Sequence, residues 1–218
     1  MYGGMYLAMV AVLVCLCAYL LGSIPFGLLI AHFRRVDLRS VGSGNIGATN
    51  AARALGKGWG ILVLLLDASK AALPAYLCLH LCDSAGAKLA WDRVCGALTP
   101  ETLAGLATAA AAAAFFGHLY PLFAGFRGGK GVATALGGFL ALEPRAALLG
   151  ALVYALAYGL TRISSVGSLL GVLSFPLWLY LTDGKRPSYL LSGVMLLFIL
   201  LRHRDNIRRL LSRKEQRV

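Results

Sequence analysis

Apolar residues recur in long runs along the chain, and short polar segments separate them. Seven apolar stretches can be counted, at 5–31, 58–82, 102–119, 129–143, 146–161, 165–182 and 188–201. A helix needs about 20 apolar residues to cross a bilayer, and the first two stretches exceed that length. The later stretches are shorter, so it stays open whether 129–143 crosses the bilayer or enters and returns. The pattern predicts an all-α integral membrane protein of about seven transmembrane helices, forming a single polytopic domain over residues 1–218.

Composition agrees with a lipid environment. Hydrophobic residues make up 59% of the 218 residues and charged residues 14%, whereas soluble domains carry about 25% charged residues. A soluble enzyme, a disordered chain and a nucleic-acid-binding module are therefore excluded for the chain as a whole.

Positive charge sets the predicted orientation. The chain has 21 Lys and Arg against 9 Asp and Glu, a formal net charge of +12. Most of the basic residues fall at 34–57, 127–130, 162 and 202–217, which a seven-helix topology puts on one side. Those on the other side are Lys88, Arg93, Arg145, Lys185 and Arg186. Because Lys and Arg stay in cytoplasmic loops, we expect the N-terminus outside, the C-terminus in the cytoplasm, and an outer loop at 82–101.

Three polar segments on the cytoplasmic side carry the candidate chemistry, and the first is 39–53. Its glycines allow tight turns that expose backbone N–H groups, and Arg53 offers a fork suited to phosphate. The residues from Ala48 onward predict a helix whose N-terminus favours an anion. The segment therefore predicts an anion site, with uncharged candidates at Ser43, Gly44, Asn45, Thr49 and Asn50.

The second segment, 117–134, is also rich in glycine and ends before an apolar helix. Gly128 and Gly129 are expected to leave backbone donors open around Lys130, an arrangement suited to phosphate. His118 opens the segment and is expected to hydrogen-bond within the helix bundle rather than to react.

The third segment, 201–211, is a basic tail, and attraction to anionic lipid accounts for most of its charge. It does not account for His203 and Asn206, which lie three residues apart and so on one helix face. Ser165, close to Arg162, adds a hydroxyl at another cytoplasmic edge.

Two charged residues fall inside an apolar stretch. Asp67 and Lys70 are three residues apart on the second predicted helix, so they can pair on one face. Charges at this depth are costly and usually face the bundle interior, so a structural ion pair is expected.

Three other segments resemble known short motifs, but none of them supports the function that its motif would indicate. The G-x-G-x-x-G string at 42–47 follows a lipid-length helix instead of a strand, which excludes a dinucleotide site. The Lys130 loop lacks both the first glycine and the Ser or Thr of a P-loop. His32 and Asp37 fit the H-x₄-D pattern of acyl-CoA-dependent glycerolipid acyltransferases, but so short a pattern arises easily by chance.

Taken in order, the polar segments resemble the bacterial acyl-phosphate-dependent glycerol-3-phosphate acyltransferases, the PlsY family. The resemblance rests on SGNIGATN at 43–50 with Arg53, GGKGVAT at 128–134, and RH at 202–203 followed by Asn206. It extends from about residue 19 to 211. It implies a seven-helix enzyme of the bacterial inner membrane that transfers a fatty acyl group from acyl phosphate to the 1-hydroxyl of sn-glycerol 3-phosphate. The products would be lysophosphatidic acid and phosphate.

The same resemblance implies which residues act. The catalytic candidates are Ser43, Arg53, Lys130, His203 and Asn206, and the substrate-phosphate candidates are Gly44, Asn45, Thr49, Asn50, Gly128, Gly129 and Ser165. It implies no metal and no cofactor, and a further enzyme that supplies acyl phosphate as a possible partner beside membrane lipid.

Other functions and details stay open at this point. A transporter of phosphorylated metabolites would share the polar pocket, although transporters tend to have inverted repeats and polar sites at the membrane midplane. A structural membrane subunit that binds anionic lipid would leave the uncharged donors unexplained. The sequence does not identify the general base, and it leaves open whether Cys82 and Cys95 pair.

Overall fold

The computed structural model describes residues 2–81, 85–96, 98–184 and 186–217, and helices account for most of them. In chain order these are α1 (Tyr2–Gly22), α2 (Phe26–Phe33), α3 (Ala48–Leu55), α4 (Lys57–Leu79), α5 (Ala85–Cys95), α6 (Pro100–Leu119), α7 (Val132–Leu142), α8 (Pro144–Thr161), α9 (Ser164–Leu181), α10 (Arg186–Arg202) and α11 (Arg204–Leu211). The prediction of an all-α fold is confirmed. A Cys82–Cys95 pair lies outside the described residues, because Cys82 is not among them.

Five helical segments in the described ranges are long and apolar enough to cross a membrane. They are Gly3–Phe33, Lys57–Leu79, Pro100–Ala124, Pro144–Thr161 and Ser164–Leu181. Helix α7 has only 11 residues, or about 16 Å, which is half of a hydrocarbon core of about 30 Å. The helix in the stretch 129–143 is therefore shorter than the thickness of a typical hydrocarbon core.

The first apolar stretch, predicted as one helix over 5–31, is broken into α1 and α2. The break falls at residues 23–25, because Pro25 has no N–H and its ring crowds the preceding helical turn. Ser23 Oγ donates to the Tyr19 carbonyl at 2.9 Å, which satisfies an acceptor at the end of α1. The sequence also missed α5, which occupies part of the expected outer loop.

Small residues bring the central helices together. Helix α6 presents Ala107, Ala110, Ala111 and Ala114, all with no exposed surface, to its neighbours. Gly137 on α7 faces the Ala68 carbonyl of α4 so closely that a Cβ would overlap it. Backbones that approach this closely pack by van der Waals contact, which is the main attraction between helices in lipid.

A buried ion pair lies on α4 within this core, as the sequence predicted. Lys70 Nζ lies 2.7 Å from Asp67 Oδ1, and the two residues are 2% and 3% exposed. His118 of α6 completes the cluster, since its Nδ1 lies 3.3 Å from Lys70 Nζ and 3.5 Å from Asp67. The expectation that His118 bonds within the bundle is confirmed.

Breaking this pair from one side should destabilise the fold. Lys70→Ala leaves the Asp67 carboxylate buried without its cation, and such a loss costs about 3–5 kcal/mol. We expect a clearly lower thermal unfolding temperature in detergent.

Two companion variants give the comparison. Ser69→Ala changes an exposed neighbour on α4 that bonds only the Leu66 carbonyl, and it should unfold like the parent. The double variant Asp67→Asn with Lys70→Met removes both charges and should recover part of the loss. A Lys70→Ala protein as stable as the parent would contradict a structural role for the pair.

Candidate active site

The three polar segments meet at one end of the helix bundle, around a cavity of about 380 Å³. Arg39 Nη2 donates to the Arg127 carbonyl at 3.2 Å, which joins the first segment to the second. Arg53 Nη2 donates to the Gln216 carbonyl at 3.0 Å, which joins the first segment to the tail. Segments far apart in the chain thus form one site.

Most of the residues that the sequence singled out line this cavity. They are Ser43, Asn45, Thr49, Asn50, Arg53, Lys130, Ser165, His203 and Asn206. Gly44, Gly128 and Gly129 do not line it. His32 and Asp37 of the H-x₄-D pattern lie in a separate depression with Leu28 and Val36.

Three helices begin at the polar end of the cavity. The first residues of α3 (Ala48, Thr49), α7 (Val132, Ala133) and α9 (Ser164, Ser165) all line it. The first N–H groups of a helix have no partner within the helix and carry a partial positive charge. Three such ends beside Arg53 and Lys130 create a site for a multiply charged anion. The sequence indicated that α3 and α7 begin in the polar segments, and the structure adds the N-terminus of α9 to the same site.

Arg53 keeps a free donor in this site. Among the described residues, its Nε is buried without a hydrogen-bond acceptor, while its Nη2 is bonded to the tail. A phosphate oxygen would supply the missing acceptor.

Asn50 organises the first loop instead of offering its amide to a ligand. Its Nδ2 donates to the carbonyls of Leu38 at 2.9 Å and Val41 at 3.0 Å. Its Oδ1 accepts from the Ser43 N–H at 3.1 Å. Since both amide donors are used, Asn50 does not provide the free phosphate donor expected of it. Gly42 makes the arrangement possible, because its φ is +58° and a Cβ there would press against Asn50 Oδ1.

The glycines before Lys130 also differ from the expectation. The N–H of Gly128 donates to the Leu119 carbonyl and that of Gly129 to the His118 carbonyl, both at 3.2 Å. These donors are therefore not open to phosphate. Gly129 lies so close to the His118 ring that any side chain would overlap it. The two glycines let the loop pack against the end of α6, and this packing places Lys130 at the cavity.

Arg202 fixes the same loop from α10. Its Nε donates to the Gly129 carbonyl at 3.1 Å, and its Nη2 donates to the carbonyls of Leu119 at 2.6 Å and Gly128 at 3.1 Å. One guanidinium thus takes three backbone acceptors. A separate role for Arg202 could not be predicted, because nothing in the spacing of the sequence shows which carbonyls this side chain contacts.

Glu215, which the sequence did not single out, sits among the cations. Its carboxylate accepts from Ser165 Oγ at 2.9 Å, from Asn206 Nδ2 and from Arg209 Nε at 2.6 Å. Burial alone would raise the pKa of Glu215, but the hydrogen bonds from Arg209, Asn206 and Ser165 outweigh it, and the pKa lies below its ordinary value. The carboxylate is therefore ionised and balances the positive end of the cavity. An acid flanked by Arg213, Lys214 and Arg217 was the available signal.

Burial lowers the pKa values of both Lys130 and His203. Burial lowers the pKa of Lys130 to about 8, although the Glu215 charge opposes the shift. Lys130 Nζ donates to Asn206 Oδ1. Burial, followed by the charge of Lys130, lowers the pKa of His203 to about 4, so its ring is neutral near pH 7.

The tautomer of His203 follows from its contact with α10. Nδ1 lies 2.8 Å from the Ile199 carbonyl, which can only accept, so Nδ1 carries the proton. The lone pair is then on Nε2. His203 can accept a hydrogen bond from a hydroxyl in the cavity, and as a base it is weak.

A chain of hydroxyls closes the site on the side of α8 and α9. Thr49 Oγ1 lies 2.8 Å from Ser164 Oγ, and Ser164 Oγ lies 3.2 Å from Tyr154 Oη. Thr49 was expected at the site, whereas Ser164 and Tyr154 were not. Their contacts arise only when α3 meets the start of α9.

The other end of the cavity is apolar. Its lining there is mostly apolar: Val132, Ala135, Leu136, Phe139, Ala147, Gly150, Ala151, Gly171, Val172, Phe175, Met195 and Ile199. Ser192 also lines this end, and its hydroxyl donates to the Tyr189 carbonyl at 2.8 Å. A cavity with one cationic and one apolar end fits an amphiphile with an anionic head. Within the described residues, no group of three or more His, Cys, Asp or Glu is arranged to hold a metal ion.

Known proteins are similar to this chain in sequence and in fold. The family model "Glycerol-3-phosphate acyltransferase" matches residues 12–213. A glycerol-3-phosphate acyltransferase of Anaeromyxobacter dehalogenans (strain 2CP-C) is 50% identical over 210 residues, which cover 95% of this chain and 96% of that one. The chain belongs to the glycerol-3-phosphate acyltransferase family. A further relative, from Aquifex aeolicus (strain VF5), is 42% identical over 209 residues, which cover 96% of this acyltransferase and 100% of that one.

Two crystal structures of PlsY, an integral membrane glycerol 3-phosphate acyltransferase, share the fold. The glycerol 3-phosphate form has a TM-score of 0.81 and 39% identity, and the match covers 95% of each chain. The lysophosphatidic acid form has a TM-score of 0.79 and 38% identity, covering 95% of this chain and 94% of the other. This acyltransferase is therefore an integral membrane enzyme of phospholipid synthesis, as the sequence predicted.

Loss of the Glu215 carboxylate should weaken the fold of the acyltransferase. Glu215→Ala removes the shared acceptor of Ser165, Asn206 and Arg209 and leaves neighbouring cations unbalanced. Hydrogen bonds to a charged group contribute about 1.5–3 kcal/mol each, so we expect a lower thermal unfolding temperature in detergent. Gln216→Ala is the matched control, because Arg53 bonds only the backbone carbonyl of that residue. Equal unfolding temperatures for the two variants would contradict the idea that the Glu215 carboxylate stabilises the fold.

Proposed function

We propose that this acyltransferase moves a fatty acyl group from acyl phosphate to the 1-hydroxyl of sn-glycerol 3-phosphate, releasing lysophosphatidic acid and inorganic phosphate. The observation that carries the proposal is the continuous cavity with a cationic end and an apolar end. The acyl donor and the product each combine a phosphate with a long apolar chain, and the acceptor brings a second phosphate. The same cavity has polar donors enough to serve both head groups.

The phosphates are assigned to the cationic end. Arg53 offers an unpartnered Nε, and Lys130 brings a charge beside the first turn of α7. Ser43, Asn45 and Thr49 line the same end. Ser165 and Asn206 now donate to Glu215, and they are the donors that a phosphate would share with or take from that carboxylate.

The proposed acyl transfer depends on the activated acyl donor, acyl phosphate. The 1-hydroxyl oxygen attacks the acyl carbonyl carbon, a C–O ester bond forms, and the bond between that carbon and the phosphate oxygen breaks. The electron pair leaves with phosphate, whose growing charge Arg53, Lys130 and the helix N-termini stabilise. No acyl-enzyme is required, because the mixed anhydride already has a good leaving group.

His203 is assigned to orienting the hydroxyl. Its Nε2 lone pair can accept the hydrogen bond of the 1-hydroxyl and so aim the oxygen at the carbonyl. With a pKa of about 4, it is a poor match to a base that works near pH 7. The departing phosphate, a stronger base, takes the proton.

The proposed setting is the bacterial inner membrane. Seven membrane segments, counting the short α7 and the 17-residue α10, would place the N-terminus outside and the C-terminus and the active site in the cytoplasm. This orientation keeps the basic segments in the cytoplasm. We treat residues 1–218 as a single polytopic domain. A separate enzyme must supply the acyl phosphate, and no metal or cofactor enters the proposed reaction.

The decisive experiment measures phosphate release by the purified protein in EDTA. Palmitoyl phosphate with glycerol 3-phosphate should release phosphate and form lysophosphatidic acid, whereas palmitoyl-CoA with the same acceptor should form none. Lys130→Ala should lower the rate by at least about a hundredfold while the protein stays folded. His32→Ala, outside the cavity, should keep the parent rate.

Two results would contradict the proposal. Equal use of palmitoyl-CoA would restore the H-x₄-D interpretation, above all if His32→Ala were inactive. Absence of turnover, with glycerol 3-phosphate still bound in a Lys130-dependent manner, would favour a transporter.

The pKa of Lys130 predicts a pH limit. Because the folded-state pKa is lowered to about 8, Lys130 is charged below that pH and becomes neutral above it. We expect kcat/KM for glycerol 3-phosphate, which reports the free enzyme, to fall as pH rises through about 8. Lys130→Arg stays charged, so its profile should lack this decline whatever its absolute rate. Lys57→Arg, on an exposed lysine, should keep it. A parent profile that is flat through pH 9 would contradict the assignment.

A further inference from the structure

The apolar end of the cavity runs along three helices. Ser165 and Phe175 are ten residues apart on α9, or about 15 Å at the rise of an α-helix. On α7, Val132 and Phe139 are separated by about 10 Å. Along α10 the lining runs from His203, which directly follows this helix, past Met195 to Ser192. The cavity is therefore a deep slot whose long dimension follows the helix axes.

Small residues make the slot wide enough for a chain. Ala135, Ala147, Gly150, Ala151 and Gly171 line it between the polar end and the depth of Phe175. A Cβ at Gly150 would lie 3.3 Å from the Phe175 ring, so even one methyl group there would narrow the lower part of the slot.

Two aromatic rings stand at the bottom of the slot. The ring centroids of Phe139 and Phe175 lie 4.2 Å apart at an angle of 43°, and the residues are 4% and 9% exposed. One turn beyond Phe175, Leu179 has no exposed surface and belongs to the hydrophobic core. Phe139 and Phe175 are therefore the last residues of α7 and α9 that line the slot, and packed protein follows Phe175.

We infer that the Phe139–Phe175 pair is the end wall of the acyl-chain site and limits the length of the chain that the enzyme transfers. The inference rests on the proposed acyl transfer at this cavity. Surrounding lipid is as apolar as the slot, so a chain gains little by leaving lipid for protein. Discrimination between acyl chains of different length must then come from the carbon atoms that do not fit in the slot. A wall of two packed rings excludes those carbon atoms.

The test compares saturated acyl phosphates from lauroyl to arachidoyl as donors. Phe175→Ala removes one ring of the wall and leaves space for several carbon atoms. We expect kcat/KM for the longest donors, relative to lauroyl phosphate, to rise by about tenfold, the order of the penalty for overpacking a filled core. The ratio should stay unchanged if Phe175 has only a packing role.

Two further variants keep the result interpretable. Phe198→Ala is the matched control, because Phe198 forms a similar ring pair with Phe116 at 4.9 Å and lies outside the cavity lining. It should not change the length preference. Ala151→Leu fills the slot part-way along and should shift the preference toward shorter donors, even if Phe175→Ala fails to fold.

Binding of unreactive alkyl phosphates separates this inference from the proposed reaction. In the parent, thermal stabilisation by these probes should stay level up to a limiting chain length and then decline, and in Phe175→Ala the decline should begin at longer chains. Such a shift without any turnover would support the wall and reject the acyl transfer. A limit that is identical in parent, Phe175→Ala and Ala151→Leu would overturn the inference, whether or not the protein turns over.

Discussion

Concentrated positive charge at one end of an apolar bundle is the constraint on which the site depends. Arg53, Lys130 and three helix N-termini converge there, and their mutual repulsion must be balanced. In the structure the balance comes from Glu215, whose carboxylate accepts hydrogen bonds from donors on α9 and α11. In the proposed function the same field holds the substrate phosphate, so the stability of this end of the bundle and its affinity for substrate would have one physical origin.

A second set of contacts, inside the bundle, holds the loop before Lys130 in place. Arg202 holds three backbone carbonyls around the loop before Lys130, and the His118 ring lies directly under Gly129. His118 is itself held by the Asp67–Lys70 pair inside the bundle. Rigid placement of a cation beside a cavity reduces the reorganisation that binding and reaction require, so the buried ion pair serves the position of Lys130 as well as the fold.

The sequence predicted the all-α fold, the buried ion pair and the residues that meet at the cavity, because hydropathy, charge placement and local polar clusters carry that information. It could not predict what depends on long-range contacts. The amide of Asn50 and the N–H groups of Gly128 and Gly129 looked free, but carbonyls elsewhere in the fold occupy them. Glu215 escaped notice because its partners at Ser165 and Asn206 come from other segments. The break at Pro25 shows that hydropathy does not record backbone geometry.

The position of Glu215 near the end of this sequence also affects when the cationic site acquires its carboxylate during synthesis. Ribosomes make the chain from Ser43 toward Glu215, and the helices can enter the membrane as they emerge. The cationic end nevertheless lacks its balancing carboxylate until residue 215 has left the ribosome and folded back onto Ser165. Maturation of the site is therefore a late event that follows insertion, and a partly made chain offers bare positive charge to the anionic head groups around it.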